Sequence, residues 1–296
     1  MRKENELVSV IIPSFRRCDT VTRAIDSVLK QTYSNIEILV VDDNIPGDEY
    51  SNKLEEVITL IPDSRVRLIK QKVHINGAVA RNEGVKAAEG MYVAFLDDDD
   101  EWLPDKVQYQ IEILKKYPQY DGIAGGVTLW DKGVEISSLP SKPIVEDRLL
   151  FSVLTREVGL ATSSFLCKKR AFEDMGGFDP ELKRSQDLQL FADFLFKYKI
   201  YPTWNKRTVK MHVESAINRL DSKCLYKNKE EFFTSIADVL ESFSPAQRRR
   251  IKSAHYYEVA YVALREHNLS LFICSMIKGA LSPISIVDLY KRYKER

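Results

Sequence analysis

Five consecutive acidic residues, Asp97 to Glu101, are the densest group of reactive side chains in the sequence. Like charges about 4 Å apart repel by on the order of 1 kcal/mol even in water, so a compensating cation is expected. Carboxylate oxygens suit Mg²⁺ or Mn²⁺, whose coordination is completed by water and substrate phosphates. The alternative is a solvated acidic turn that caps a following helix, which the helix dipole would favour. We expect one or two of the carboxylates to cap that helix and the others to bind metal.

Two further polar groups are predicted near the same place. Asp42 and Asp43 end an apolar run, where a carboxylate can accept an N–H from a ligand or serve only as a turn residue. Arg81 lies in the first turns of a helix predicted to start at Asn76. A helix dipole and a guanidinium together favour a phosphate there, and a surface arginine is the alternative.

Alternating strands and helices in the first hundred residues must position these groups. Apolar runs predict strands over 8–12, 36–41, 66–70 and 91–96. Helical spacing predicts the intervening helices, the first capped by Asp19 and the third by Asn76. This order indicates β-α-β units and a largely parallel sheet, whose ligands bind outside the carboxyl ends of the strands.

The second hundred residues are less regular, and the rest is helical. Strands and loops are expected over 121–165 around one short helix at 144–154, because glycine pairs and prolines interrupt this stretch. The remaining elements before the tail are predicted as a strand at 163–167, a helix at 185–198 and a strand at 208–213. Beyond about residue 224, apolar periodicity predicts helices throughout.

Composition and charge exclude several classes of protein. With 44% hydrophobic and 29% charged residues the chain is typical of a globular protein, and its net charge of +1 argues against a nucleic-acid partner. Four scattered cysteines without a C-x-x-C pair indicate free thiols. We find no apolar signal segment and no clean membrane span. A cytoplasmic location is therefore expected.

Three segments together resemble the family 2 inverting glycosyltransferases, which have the GT-A fold. They are residues 8–43, 76–102 and 176–187, and the similarity extends over residues 6–215. The resemblance implies an α/β fold of the GT-A type, Rossmann-like with a mainly parallel central sheet flanked by helices. It implies a catalytic domain over 1–222, with a nucleotide-binding half of about 1–100 and an acceptor half of about 101–222. A C-terminal helical extension over 223–296 follows.

The resemblance also implies roles for individual residues in donor binding. Pro13 and Phe15 would line the nucleotide base, and Asp43 would accept from the N3–H of uracil. Arg81 would approach the diphosphate of the donor. The D-x-D element is Asp97 to Asp99, in which Asp98 would meet the ribose or donor sugar and Asp99 the metal, Mn²⁺ or Mg²⁺.

The reaction implied is inverting transfer of one hexosyl or N-acetylhexosaminyl group from a nucleotide diphosphate sugar, a UDP-sugar by resemblance. Metal and arginine would stabilise the leaving diphosphate, while Asp187 would take the proton of the acceptor hydroxyl. His212 would reach the metal or diphosphate, with a structural histidine as the alternative. Gln186 stands where the family usually has Glu, which removes a like charge beside the base and would lower its pKa. The acceptor would be a saccharide or lipid-diphosphate saccharide in cell-surface polysaccharide assembly.

Two other function classes were weighed against this one. A nucleotidyltransferase or phosphohydrolase could use the same acidic strand end, but would need a Gly-rich loop or an Asp nucleophile after the first strand. That strand ends Pro13-Ser14-Phe15. A non-catalytic nucleotide-sugar or glycan-binding module would predict loss of Asp99 or Asp187, and both are present.

The helical tail carries an excess of positive charge. Residues 225–296 contain 12 Lys plus Arg against 8 Asp plus Glu, and basic clusters lie at 248–252 and 291–296. Such helices can lie on an anionic membrane surface. Packing on the catalytic domain, or a homodimer interface, is the alternative. The membrane interpretation would place the protein peripherally on the cytoplasmic face of the inner membrane.

Overall fold

The structure is a computed structural model that describes residues 6–139, 145–213 and 221–280. In those residues the strands are β1 Val8–Ser14, β2 Ile36–Asp42, β3 Val66–Lys70, β4 Tyr92–Phe95, β5 Glu101–Trp102, β6 Gly122–Asp131, β7 Val134–Leu139, β8 Phe165–Lys168 and β9 Ile200–His212. The α-helices are α1 Cys18–Leu29, α2 Glu49–Thr59, α3 Gly77–Ala87, α4 Lys106–Lys116, α5 Leu149–Leu154, α6 Lys169–Asp174, α7 Gln186–Lys197, α8 Ser222–Ser235, α9 Ala237–Glu241, α10 Pro245–Arg265 and α11 Leu269–Ala280.

The strands form one sheet in the order β3-β2-β1-β4-β8-β6-β9-β5, and β7 pairs with β6. The first four strands are mutually parallel, as the alternating pattern predicted. Strand β1 pairs with β2 from Val8↔Ile36 to Ser14↔Asp42, so both end at the same edge. Apolar side chains bury both faces of these strands, with α1, α2 and α4 on one face and α3, α6 and α7 on the other.

The second half of the sheet is mixed, and β9 is much longer than the strand predicted at 208–213. Strand β8 is antiparallel to β4 and β6, whereas β6 and β9 run parallel. Gly125 and Gly126, which suggested a loop, lie inside β6. A Cβ on Gly125 would stand 2.2 Å from Thr208 Oγ1, so the glycine is needed for β6 to approach β9. The pair therefore marks a close strand contact and not a turn.

Helix starts test three sequence predictions. Asn76 caps α3, and its Oδ1 accepts from the Val79 backbone N–H at 3.1 Å. The prediction for Asp19 is wrong, because α1 begins at Cys18 and Asp19 instead binds Lys53 Nζ at 2.9 Å. The acidic run does not cap α4 either. Strand β5 separates the run from α4, which begins at Lys106 after Asp105, a residue that makes no capping bond.

The tail helices pack on the sheet-flanking helices near α7. Phe232, Ile236 and Ile251 share a buried apolar cluster with Leu154 of α5 and Ala192 of α7. In the described ranges, no helix is both long enough and apolar enough to cross a membrane. Residues 281–296, with the basic cluster at 291–296, and residues 140–144, which include the predicted start of the short helix, lie outside the described residues.

Candidate active site

The carboxyl ends of β1, β2 and β4 bring the predicted polar residues to one edge of the sheet. The Asp43 backbone N–H donates to Ser14 O at 3.0 Å, and that of Leu96 donates to Ile11 O at 3.0 Å. Phe15, Asp43 and Asp97 therefore start loops that leave the sheet side by side. This edge is where ligands of open α/β sheets bind.

Three carboxylates of the acidic run converge. Asp97, Asp99 and Asp100 each place one oxygen so that all three lie within 4.8 Å of one another. A turn, in which the Asp100 backbone N–H donates to Asp97 O at 3.0 Å, folds the run back on itself. The Ser163 hydroxyl holds both ends, since it donates to Asp100 Oδ2 at 2.6 Å and accepts from the Asp97 backbone N–H at 3.1 Å. Three hard oxygen donors so arranged fit Mg²⁺ or Mn²⁺.

The run is short of positive charge. Arg17 pairs with Asp99 and lies 3.6 Å from Asp98, Arg81 pairs with Asp97, and Arg23 Nε lies 3.6 Å from Glu101. Among the described residues, these three arginines face five carboxylates. If all are ionised, the excess is two negative charges, the charge that one divalent cation balances.

The proton affinities of the carboxylates reflect this imbalance. Burial and the neighbouring Asp99 raise the pKa of Asp98 to about 7, and Arg17 offsets part of that shift. Burial and Asp97 also raise the pKa of Asp100, although Ser163 hydrogen bonding opposes this. A buried carboxylate that keeps its proton near neutral pH lacks a sufficient partner cation.

Arg81 and Asp187 lie beside the run. Arg81 is 9% exposed, and its guanidinium lies 5.5 Å from the Phe178 ring centroid as well as pairing with Asp97. A Cβ on Gly77 would stand 2.9 Å from Arg81 Nη1, so the glycine leaves room for the guanidinium. Asp187, in the first turn of α7, interacts electrostatically with both Arg81 and Asp97.

The Asp187 carboxylate is solvent-exposed yet lies among many protein atoms at the edge of this cluster. That partial desolvation is the main cause of its raised pKa, followed by the negative charge of Asp97, and Arg81 opposes both. The lowering expected of Gln186 is relative to a glutamate at the same position, and it stays a prediction.

The predicted base-binding residues form a second group on the same edge. Asp43 is buried, accepts from Gln71 Nε2 at 2.9 Å and lies 3.1 Å from His74 Nδ1. Burial raises its pKa, and His74 opposes the shift. The Phe15 and His74 rings stack with centroids 4.3 Å apart, and Phe15 is 37% exposed. Pro13 lies in β1 just before this stack.

His212 lies near the acidic run but outside its three converging carboxylates. Its Nε2 is 2.6 Å from Glu101 Oε1, and its backbone N–H reaches Asp100. The imidazole is therefore engaged by a carboxylate in this structure, and its role toward a metal stays a prediction.

Sequence reasoning missed three residues of this site. Arg17, His74 and Ser163 all contact it. Asp100 was expected only as a member of the acidic run, without a role of its own. Arg17 lies inside the family-like segment 8–43 but was given no role, and His74 and Ser163 lie outside the three family-like segments.

Comparison with known proteins identifies the class. The sequence profile described as glycosyl transferase family 2 matches residues 9–176, more than half of the chain. The chain therefore belongs to glycosyl transferase family 2, as its motifs suggested.

Curated relatives are bacterial glycosyltransferases. The amylovoran biosynthesis glycosyltransferase AmsB of Erwinia amylovora is 31% identical over 188 residues, which cover 62% of each protein. The UDP-Glc:alpha-D-GlcNAc-diphosphoundecaprenol beta-1,3-glucosyltransferase WfaP of Escherichia coli is 41% identical over 110 residues, 37% of this chain and 42% of that protein. The chain thus matches less than two thirds of the length of these relatives.

Solved structures with the GT-A fold superpose on most of the chain. S. aureus TarS in complex with UDP-GlcNAc gives a TM-score of 0.62 at 14% identity, over 90% of this chain and 88% of that one. The mannosyltransferase PcManGT of Pyrobaculum calidifontis, in complex with GDP-Man and Mn²⁺, gives a TM-score of 0.59 at 13% identity. The superposition covers 97% of this chain and 78% of that one. The predicted fold class, GT-A with C-terminal helices, is confirmed.

Proposed function

We propose that this protein is a metal-dependent inverting glycosyltransferase of bacterial cell-surface polysaccharide assembly. It transfers one hexosyl or N-acetylhexosaminyl group from a UDP-sugar to a saccharide or lipid-diphosphate saccharide. The observation that carries the proposal is the juxtaposition of three converging carboxylates, Arg81 and Asp187 at one strand edge. The names of AmsB and WfaP support the setting, the donor class and the acceptor class.

Asp97, Asp99 and Asp100 would hold Mn²⁺ or Mg²⁺. Their donor set is all oxygen, and the charge deficit of the run matches one divalent ion. Such an ion, when bound, acts as a Lewis acid on the leaving diphosphate. Arg81 stabilises the same developing charge from its buried position.

The Phe15 and His74 stack offers a flat, partly exposed aromatic surface for the base, beside Asp43 as hydrogen-bond acceptor. Pro13, at the end of β1, would line the base together with Phe15. Asp98, which is buried, would meet the ribose or donor sugar. A UDP-sugar suits Asp43, because a carboxylate accepts the N3–H that uracil offers.

Asp187 acts as the general base in this proposal. A base works best when its pKa approaches the operating pH, and the surroundings of Asp187 move its pKa in that direction. The base takes the proton of the acceptor hydroxyl as that oxygen attacks the anomeric carbon opposite the diphosphate. One displacement then inverts the anomeric configuration.

We further propose the division into a catalytic domain over 1–222 and a helical extension over 223–296. The exposed apolar side chains of α10 and α11, Tyr261, Leu264, Leu269, Ile273 and Ile277, would touch a membrane surface, where a lipid-linked acceptor resides. A homodimer interface is the competing use of this face. Two measurements on the wild type and on Ile273→Ser/Ile277→Ser distinguish the two uses. Weaker sedimentation of the variant with anionic vesicles indicates membrane contact, and a lower mass of the variant in solution indicates a homodimer interface.

The enzyme proposal is tested with a panel of nucleotide sugars and Mn²⁺ or Mg²⁺, in which nucleotide release is followed with and without a lipid-diphosphate sugar acceptor. We expect release with a UDP-sugar that depends on both metal and acceptor. Asp187→Asn should retain UDP binding and lose transfer by about 10²- to 10⁴-fold. Absence of turnover with every donor, or wild-type transfer in Asp187→Asn, would contradict the proposal.

A further inference from the structure

Arg17 is a partly exposed arginine that pairs with one of the proposed metal-binding carboxylates. Its guanidinium pairs with Asp99 and lies 3.6 Å from Asp98, and 49% of its side chain is exposed. It occupies the position just before α1, at the end of the loop that leaves β1. It lies in the family-like segment 8–43, but the resemblance assigned it no role.

The three arginines of the site hold the acidic run in different ways. Arg81 is buried against Asp97 and the Phe178 ring. Arg23 donates through Nη2 to the main-chain oxygen of Asp99 at 2.6 Å. This contact does not involve the Asp99 carboxylate. Arg17 alone of the three binds the Asp99 carboxylate itself. A metal ion that uses Asp99 must therefore compete with Arg17, but not with Arg23.

Resting on the proposed function, we propose that Arg17 is an exchangeable counterion that becomes a second diphosphate-binding residue. It neutralises Asp99 and Asp98 until a divalent ion takes Asp99, and it then pairs with the diphosphate of the nucleotide sugar. Its side chain is 49% exposed, against 11% for that of Arg81, so solvent and a ligand can reach the guanidinium. An arginine fork matches phosphate oxygens bidentately, which gives the released guanidinium a partner of the correct charge.

The proposal predicts effects of opposite sign on two ligands. Removal of Arg17 eliminates a competitor for Asp99, so Mn²⁺ alone should bind more tightly. It also removes a phosphate contact, so UDP should bind more weakly when Mn²⁺ is saturating. General damage to the fold would weaken both, which makes the pair of signs diagnostic.

Calorimetric titrations of the full chain with MnCl₂ alone, and with UDP at saturating Mn²⁺, test this. For Arg17→Ala we expect Mn²⁺ affinity to rise by about threefold or more, and UDP affinity to fall by about tenfold, the scale of one charge-assisted hydrogen bond. Arg17→Lys should restore most of both. Arg65→Ala removes an arginine paired with Asp63 and remote from the acidic run, and should change neither.

Three results would overturn the proposal. Unchanged Mn²⁺ affinity in Arg17→Ala would show that Arg17 does not compete for Asp99. Unchanged UDP affinity would remove the diphosphate contact. Weaker binding of Mn²⁺ would make Arg17 a support for the metal and not its competitor. If the wild-type protein binds neither Mn²⁺ nor UDP, the proposed function fails first and this inference falls with it, whereas wild-type binding with an inert Arg17 overturns the inference alone.

Discussion

Two buried charge clusters of this protein contrast sharply. At the strand edge, five carboxylates face three arginines, and burial raises the pKa values of Asp98 and Asp100. Between the tail and the loop after α5, Glu258 pairs with Arg156 and lies 3.0 Å from Lys229. Burial opposes ionisation there too, yet these two cations lower the pKa of Glu258 to about 2.

The contrast shows which buried charges signal a ligand. In the tail cluster, Arg156 and Lys229 compensate the charge of Glu258, and α10 adds His255 Nε2 at 3.0 Å from Leu154 O and Arg250 at 2.6 Å from Glu157. It fastens the tail to the loop that leads toward Ser163. Among the described residues, the carboxylates of the acidic run outnumber the arginines paired with them, so a bound cation would stabilise the run. An excess of carboxylates over cations, more than the number of charges, distinguishes the site.

The largest effect should come from breaking the tail cluster. Glu258→Gln leaves the buried Lys229 and the partly buried Arg156 beside a neutral side chain, and we expect a loss of about 3 kcal/mol in the free energy of unfolding. Urea denaturation measures it. Glu241→Gln, at an exposed glutamate of α9, is the matched control and should change little. A loss below about 1 kcal/mol for Glu258→Gln would show that the ion pairs of Glu258 contribute little to stability.

The two clusters should respond to pH in opposite directions. Burial lowers the pKa of His255, and Lys229 and Arg156 lower the pKa of Glu258. The stability that these two groups contribute is therefore present above their ordinary pKa values of 6.5 and 4.5 and is lost as the pH falls. The pKa of Asp98 is raised, so its contribution is present below the ordinary value of 3.8 and is lost as pH rises through about 7.

We therefore expect the free energy of unfolding of the metal-free protein to fall by on the order of 2 kcal/mol between pH 6 and 8.5, because the carboxylates of the acidic run ionise. Mn²⁺ should recover this loss, because it stabilises the ionised carboxylates. Asp98→Asn should reduce the alkaline slope of the profile, while Asp100, whose pKa is also raised, causes the rest. The acid side, to which His255 and Glu258 contribute, should stay unchanged. An alkaline slope in Asp98→Asn equal to that of the wild type would show that Asp98 does not cause it.

A smaller effect should follow from Ser163→Ala. The change removes the hydroxyl that holds Asp100 and the Asp97 backbone N–H, and one such hydrogen bond contributes about 1 kcal/mol. Mn²⁺ affinity should fall by about five- to tenfold. Ser164→Ala is a close control, since the Ser164 hydroxyl donates only to Ala161 O among the described contacts. Equal Mn²⁺ affinities in the two variants would remove Ser163 as a positioning residue.

Local sequence patterns predicted the first half of the fold and the types of residue at the site. Short apolar runs such as Val8–Ile12 favour buried parallel strands, and the Asn76 cap is a contact within one turn. By contrast, Gly125 signals a loop by propensity, and its true role depends on Thr208, which is far away in sequence. Arg17, His74 and Ser163 were missed for the same reason, because each is defined by a partner that only the folded chain supplies.

The central claim is that the acidic run is a site for one divalent cation. The most direct test is a titration of the full chain with Mn²⁺ in the presence of UDP at pH 7.5, for the wild type, Asp99→Asn and the exposed control Asp26→Asn. We predict one Mn²⁺ bound per chain in the wild type and in Asp26→Asn, and an affinity at least tenfold lower in Asp99→Asn, since one charged ligand is lost. No Mn²⁺ bound to the wild type, or equal affinity in Asp99→Asn, would contradict the account.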